Sequence, residues 1–249
     1  LARSYEVAHD KRAISYVHEF LVPKLLEKDV EEVCQVIQKT QAQQALQIAI
    51  DAGDLQAAML LGFVLFYERN YKQSYFLLKK VSQEGIDKAC IYRMLMDING
   101  LGTKRSFTYA YTKIQEWSKS KKGRELIALL ASLVDQETLE NLVKAKSNDE
   151  ARFVLGVILY SQGSDKRAYD CLHSFTKGRT NFYACYCCAK ILEKNPTHSS
   201  DELVTLYTQL LALPDIEKEL HLECLKNLYE RALAGNATGI GAICRMGLD

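Results

Sequence analysis

The stretch Ala57–Gly85, AAMLLGFVLFYERNYKQSYFLLKKVSQEG, constrains the fold of this chain more than any other. It reads as a helix, a tight turn and a second helix. Ala57, Leu61, Gly62 and Leu65 fall on one helical face, where Gly62 is small enough to let another helix come close. Tyr71, Ser74, Tyr75, Leu78 and Val81 then recur with helical spacing, and Gly85 stops the second helix without steric cost. A lone hairpin of this kind leaves apolar faces uncovered, so it requires neighbours of the same design.

The neighbours are legible as a recurring small residue, three spacers, an apolar residue and a second small residue. Copies read Ala57-x3-Leu61-Gly62, Ala89-x3-Arg93-Met94, Gly123-x3-Ile127-Ala128, Ala151-x3-Leu155-Gly156 and Ala184-x3-Cys188-Ala189. Ala237-x3-Gly241-Ala242 is a last, partial copy. Their steps are about 30 residues, with one longer step before the last, and such periods with a hairpin each mean a solenoid. Strand-like alternation is hard to find, and only 3 prolines interrupt the sequence. The expected fold is all-α, an α-solenoid of stacked antiparallel helix hairpins.

In chain order, residues 1–53 read as N-terminal helices that cap or extend the array. Val7, Ile14, Val17, Phe20 and Leu21 make the first amphipathic, and Asp29 with Glu32 has capping-box spacing, as does Thr40 with Gln43. Residues 54–249 form the degenerate repeats, with units near 54–85, 86–120, 121–147, 148–178, 180–213 and 215–249. Asp54, Asn70, Asp135 and Asn148 are expected N-caps, and Asp87 opens a helix that Asn99-Gly100 ends. Gly123 separates two helices, Asn195-Pro196 stops another, and Ser199 with Glu202 makes a further capping box.

Composition narrows the classes of function. A net charge of +1 gives no electrostatic reason to expect nucleic acid or an anionic membrane as the main partner. No apolar run approaches the roughly 20 residues that span a bilayer. The opening LARSYEVAHD is polar and charged, unlike a signal peptide, and lacks an initiator Met, which suggests a fragment or a processed chain. The 8 cysteines lie mostly among apolar neighbours, as small buried hydrophobes of a reducing, cytoplasmic compartment do.

The residues also carry a resemblance. Ala57, Leu61 and Gly62, then Ala151, Leu155, Gly156 and Gly163, and Asn99-Gly100-Leu101-Gly102 with Tyr109, Ala110 and Trp117, resemble the Sel-one-like repeat (SLR) branch of the tetratricopeptide (TPR) superfamily. Arg93-Met94 and Cys188-Ala189 depart from that pattern, which fits best over residues 54–195. The resemblance implies a right-handed superhelix whose first helices line a concave groove. It implies groove positions at Met59, Phe63 and Phe66; at Ile91, Leu95 and Ile98; at Phe153, Val157 and Tyr160; and at Tyr186, Lys190 and Glu193. Such an apolar groove suits a helical or extended peptide of a protein partner. The other reading of the same residues is a core, covered by a tight superhelix or by the N-terminal helices.

The function implied is that of a non-catalytic scaffold or adaptor for protein binding, with bacterial signalling or contact with host proteins, including secretion into a host cytosol, among the roles of relatives. The alternatives are the interaction domain of a larger enzyme and a helical-repeat RNA-binding module. No cofactor is implied. Cys171-x-His173 with Cys185, Cys187 and Cys188 contains ligand types for zinc, but no Cys-x2-Cys knuckle pair accompanies it, and packing is the better explanation. His9, His18, His198 and His221 stand alone, without HExxH spacing or an adjacent nucleophile. Lys104, Arg105, Lys119, Lys121, Lys122 and Arg124 form the basic concentration, read as a solvated helix end or as a docking patch for an acidic partner.

Overall fold

A computed structural model describes residue 35 and residues 43–177, 181–194, 200–212 and 217–246. Apart from residue 35, the expected helices before Thr40 lie outside the described residues, as do the Asn195-Pro196 stop and the Ser199 cap. Among those described, the chain is all-α, with thirteen α-helices and no strand. It divides into two compact units, one ending at Ser106 and one beginning at Phe107. In each, consecutive antiparallel helices pack on one another as in an α-solenoid.

The first unit holds α1 (Gln43–Asp51), α2 (Leu55–Tyr67), α3 (Tyr71–Gln83) and α4 (Asp87–Asn99). Asp54 caps α2, its carboxylate accepting from the N–H groups of Gln56 and Ala57 at 2.8 and 3.1 Å. Asn70 stands at the start of α3 but makes no side-chain cap, and its side-chain NH2 donates to Gln73 at 2.7 Å. Close approach defines the hairpin. A Cβ on Gly62 would lie 2.8 Å from the Leu78 side chain, and Ser74 Oγ donates to the Gly62 carbonyl at 2.8 Å. Further along, Gly102 (φ +70°) lies so near α3 that a Cβ there would come within 2.2 Å of the Tyr71 carbonyl oxygen. The Asn99-Gly100-Leu101-Gly102 turn is thereby locked against α3.

The second unit runs through α5 (Thr108–Ser118), α6 (Lys121–Leu133), α7 (Gln136–Lys144), α8 (Asp149–Ser161), α9 (Asp165–Leu172) with a short 3-10 turn (His173–Thr176), and α10 (Phe182–Lys194). It continues in α11 (Ser200–Leu211), α12 (Lys218–Leu233) and α13 (Ala237–Arg245). The hairpin α8–α9 repeats α2–α3 in register, without a gap. Asn148 caps α8 through the Ala151 N–H at 3.0 Å, as Asp54 does for Ala57. A Cβ on Gly156 would meet Leu172 at 2.6 Å, the counterpart of Gly62 against Leu78. The intervening turns match as well: Gly163 has φ 78°, and the equivalent Arg69 has φ 61°.

Three features of the repeat differ from the sequence pattern. Gly123 lies within α6, which Ser120 caps at 3.1 Å, and the following small position, Ala128, is exposed. Gly123 is small for another reason: the carbonyl of Trp117 would sit 1.9 Å from its Cβ, across the tight α5–α6 turn. In α13, Asn236 caps Gly239 at 2.6 Å, so the last copy begins at Gly239 rather than Ala237, which is exposed. Finally, α5 packs not only on α6 but on α8 and α10.

A buried polar network ties α3 to α4. Tyr75 donates to Asp97 at 2.9 Å, Arg93 lies 3.6 Å from the same carboxylate, and Arg93 also donates to Ser82 at 3.1 Å. Burial pushes the Asp97 carboxyl above its ordinary value of 3.8, against the opposing pull of the Tyr75 hydrogen bond and the Arg93 charge. A raised folded value means that the protonated carboxyl favours the folded state. Its contribution is complete below the ordinary value and is lost as pH rises through the raised one. Urea midpoints across acidic pH are expected to show this fall, and Asp97→Asn to remove that component of the slope.

The two hairpins make paired predictions. Gly156→Leu is expected to cost about 1–3 kcal/mol through overpacking against Leu172. Arg69→Gly relieves a left-handed conformation costing about 1–2 kcal/mol, partly offset by the freedom of glycine in the unfolded chain. The net gain expected is about 0.5–1 kcal/mol, read by equilibrium denaturant unfolding.

Candidate partner-binding site

The structure puts most of the expected groove inside the core. Every residue from Ala57 to Leu65 is buried, and so are Met94 to Ile98 and Phe153 to Leu159. In α2 and α8 the apolar residues run around the helix and are covered, so neither keeps a free apolar concave face. Phe63, Ile91, Ile98, Phe153 and Val157 have at most 1% of their surface exposed, while Met59 and Leu95 keep 8% and 7%. Phe66 is half-buried in an aromatic cluster, edge-on to Tyr71 and to Tyr92 with ring centroids 5.7 and 5.2 Å apart. Phe63 packs on the same Tyr92 at 4.6 Å.

The remaining four positions are half-buried and engaged. Lys194 approaches the Tyr160 ring at 5.7 Å. Lys190 pairs with Glu193 at 3.0 Å and with Glu223 of α12, while Glu193 accepts from Tyr207 of α11. Lys190 and Glu193 therefore cross-link α10 to the two helices that follow it. Tyr186 stacks on Tyr183, with ring centroids 5.7 Å apart and planes 7° from parallel.

An open site does form nearby, where α5 meets the start of α10. A cavity of about 320 Å³ is lined by Tyr111, Gln115, Ser118, Lys119, Asn181, Phe182 and Tyr183. Two of the expected groove residues, Phe153 and Tyr186, pack on residues of its walls. Tyr111 is braced edge-on by Phe153 at 5.0 Å, and Phe153 by Phe175 at 5.6 Å. Behind Tyr183, Tyr186 carries the Arg124 guanidinium 5.6 Å from its ring. Arg124 also donates to the Ser118 carbonyl at 3.0 Å and to Glu217 at 2.8 Å. Burial holds the Tyr183 hydroxyl well above the usual phenol range, so this wall stays neutral.

The lining contains one cation, Lys119, and no carboxylate. Asn181 spends its side-chain oxygen on the N–H groups of Tyr183 and Ala184, both at 3.1 Å, which leaves its NH2 pointing away from the helix end. Gln115 adds a second amide. Rigid aromatic walls with amide and ammonium donors are suited to holding an acceptor-bearing group.

The cysteine-histidine constellation is not gathered into one place. His173 stacks on Tyr169 and lies 3.0 Å from Glu202, while Cys185 faces Gln209 at 3.6 Å. Burial pushes the Cys185 thiol up to about 12 and raises the thiols of Cys187 and Cys188 as well, as expected of packed apolar surroundings. Among the described residues, no group of three or more His, Cys, Asp or Glu is placed to hold a metal ion. Of the remaining histidines, His221 is described; His9, His18 and His198 lie outside the described residues. Within the basic concentration, Arg124 is engaged and Lys119 and Lys121 are exposed.

No family model matches this chain, and no curated protein is significantly similar to it. No described helix is long and apolar enough to cross a membrane. The seven lining residues were not among the groove positions implied by the pattern. Of them, Lys119 lay in the basic concentration, a signal that did not indicate that α5 reaches α10.

Burial at Phe153 changes what its replacement should do. Phe153→Glu places a charge in a fully buried aromatic cluster and is expected to cost at least about 3 kcal/mol. Thermal melting monitored by circular dichroism checks this; an unchanged melt would return Phe153 to an open surface.

Proposed function

We propose that this chain is a non-catalytic protein-interaction scaffold of the Sel-one-like, tetratricopeptide-like kind. The observation that carries the reading is the gap-free correspondence of α2–α3 with α8–α9. It extends from the Asp54 and Asn148 caps, through the Gly62–Leu78 and Gly156–Leu172 contacts, to the turns at Arg69 and Gly163. Stacked hairpins of this type build long surfaces from short-range contacts, and their common use is recognition of other proteins. That last step is an analogy of fold, to which the α5–α10 cavity adds a concrete place of contact.

The scaffold engages its partner at this cavity, with Phe153 and Tyr186 holding its aromatic walls from behind. The free thiols of Cys90, Cys171, Cys185, Cys187, Cys188, Cys224 and Cys244 support a reducing compartment such as the cytosol. Affinity capture from the native cell extract, followed by mass spectrometry, tests the function. A discrete polypeptide retained by the unaltered chain and lost with Phe182→Asp, at unchanged helicity, is the expected result. Retention of nothing above the bare matrix would count against a scaffold.

A further inference from the structure

Resting on the scaffold reading, we infer that the α5–α10 cavity takes an extended acidic segment of a partner protein, anchored by an aromatic side chain. Size comes first. About 320 Å³ is at the lower end of ligand pockets, room for an aromatic side chain together with the peptide backbone and neighbouring atoms that carry it. Tyr111, Phe182 and Tyr183 offer ring surfaces to such an anchor, and aromatic anchors in preformed pockets carry much of the affinity of protein interfaces.

Charge gives the second requirement. The one ionic group among the lining residues is the exposed Lys119 ammonium, and Lys121 is exposed two positions further on. The neighbouring guanidinium of Arg124 is already neutralised by Glu217. A carboxylate beside the aromatic anchor complements Lys119, whereas a lysine or arginine there faces repulsion with no acidic lining group to relieve it.

Backbone chemistry gives the third. Gln115 and Asn181 line the cavity and carry side-chain amides, the Asn181 oxygen being spent on the start of α10, and an extended peptide has free carbonyls and N–H groups to meet the groups that remain. A helical segment has already spent most of those groups internally. The occupant is therefore an extended acidic-aromatic segment.

The test uses the full chain and a fluorescein-labelled peptide with alternating glutamate and phenylalanine and an amidated C-terminus, read by anisotropy. Its matched control alternates lysine and phenylalanine. The expected result is saturable binding of the acidic peptide, weakened at least about tenfold by high salt, by Lys119→Glu and by Gln115→Leu. Lys119 is exposed, so its replacement leaves the fold intact; circular dichroism verifies this. Failure of the acidic peptide to bind, equal binding of the lysine peptide, or no effect of Lys119→Glu would each overturn the inference. So would saturable binding of a single-stranded RNA oligonucleotide that competes with the acidic peptide. A partner captured from extract despite a failed peptide leaves the scaffold reading standing and removes only this inference.

Discussion

The structure depends on how closely two helices of a hairpin approach each other. At Gly62 and at Gly156 there is no room for a side chain, because Leu78 and Leu172 already occupy the space where a Cβ would stand. Each leucine is fully buried there, a contribution of about 1.5–3 kcal/mol relative to exposure. The contact also fixes the hairpin's geometry. A tight approach determines where the turn must reverse the chain, and both hairpins do so with a left-handed residue at the same place. That glycine serves in one copy and arginine in the other shows that the packing imposes the conformation and the sequence tolerates it.

Local features of this fold were readable because their causes are local. Asp54, Asp135 and Asn148 cap helices through N–H groups two or three residues away, and a sequence displays that spacing directly. Residue type alone does not guarantee a cap. Asn70 has capping chemistry but makes no side-chain cap bond, its backbone lying at φ −82°, ψ 63° rather than in the extended region of Asp54 and Asn148. Degenerate small-residue patterns fail in another way. Alanines and glycines are frequent enough in α13 to support two registers, and only the hydrogen bond from the Gly239 N–H to Asn236 decides between them. The exposed Ala128 makes the same point, since its neighbour Ile127 obeys the pattern and it does not.

The binding surface was less legible because coverage is a tertiary property. Periodicity assigns a residue to a face but not to a depth. In α2 and α8 the apolar residues extend around the helix, so positions chosen for a groove, such as Phe63 and Val157, were equally suited to a core. The mixed character of α10 held better information. Tyr186, Lys190 and Glu193 are polar enough to remain half-buried, and each reaches a neighbouring helix, through Arg124, Glu223 and Tyr207 respectively. What no pattern within one helix could supply is that α5 would cross to both α8 and α10.

That crossing explains why a cavity exists where it does. A regular hairpin stack fills each gap with the next copy of the same side chains, as Leu172 does against Gly156. Helices α5 to α7 interrupt this regularity: α5 turns tightly into α6 at Gly123, then lies against two first helices that belong to successive repeats. A helix so placed cannot present matching ridges to both. Toward α8, Tyr111 meets Phe153 and closes the contact; toward α10, Gln115, Ser118 and Lys119 face the helix's first turn across open space. The same irregularity supplies the polar groups, because the end of α5 and the capped start of α10 converge there. A solenoid assembled only from regular hairpins would have neither the space nor the chemistry. The departure from repetition, rather than the repeat, makes this surface distinctive.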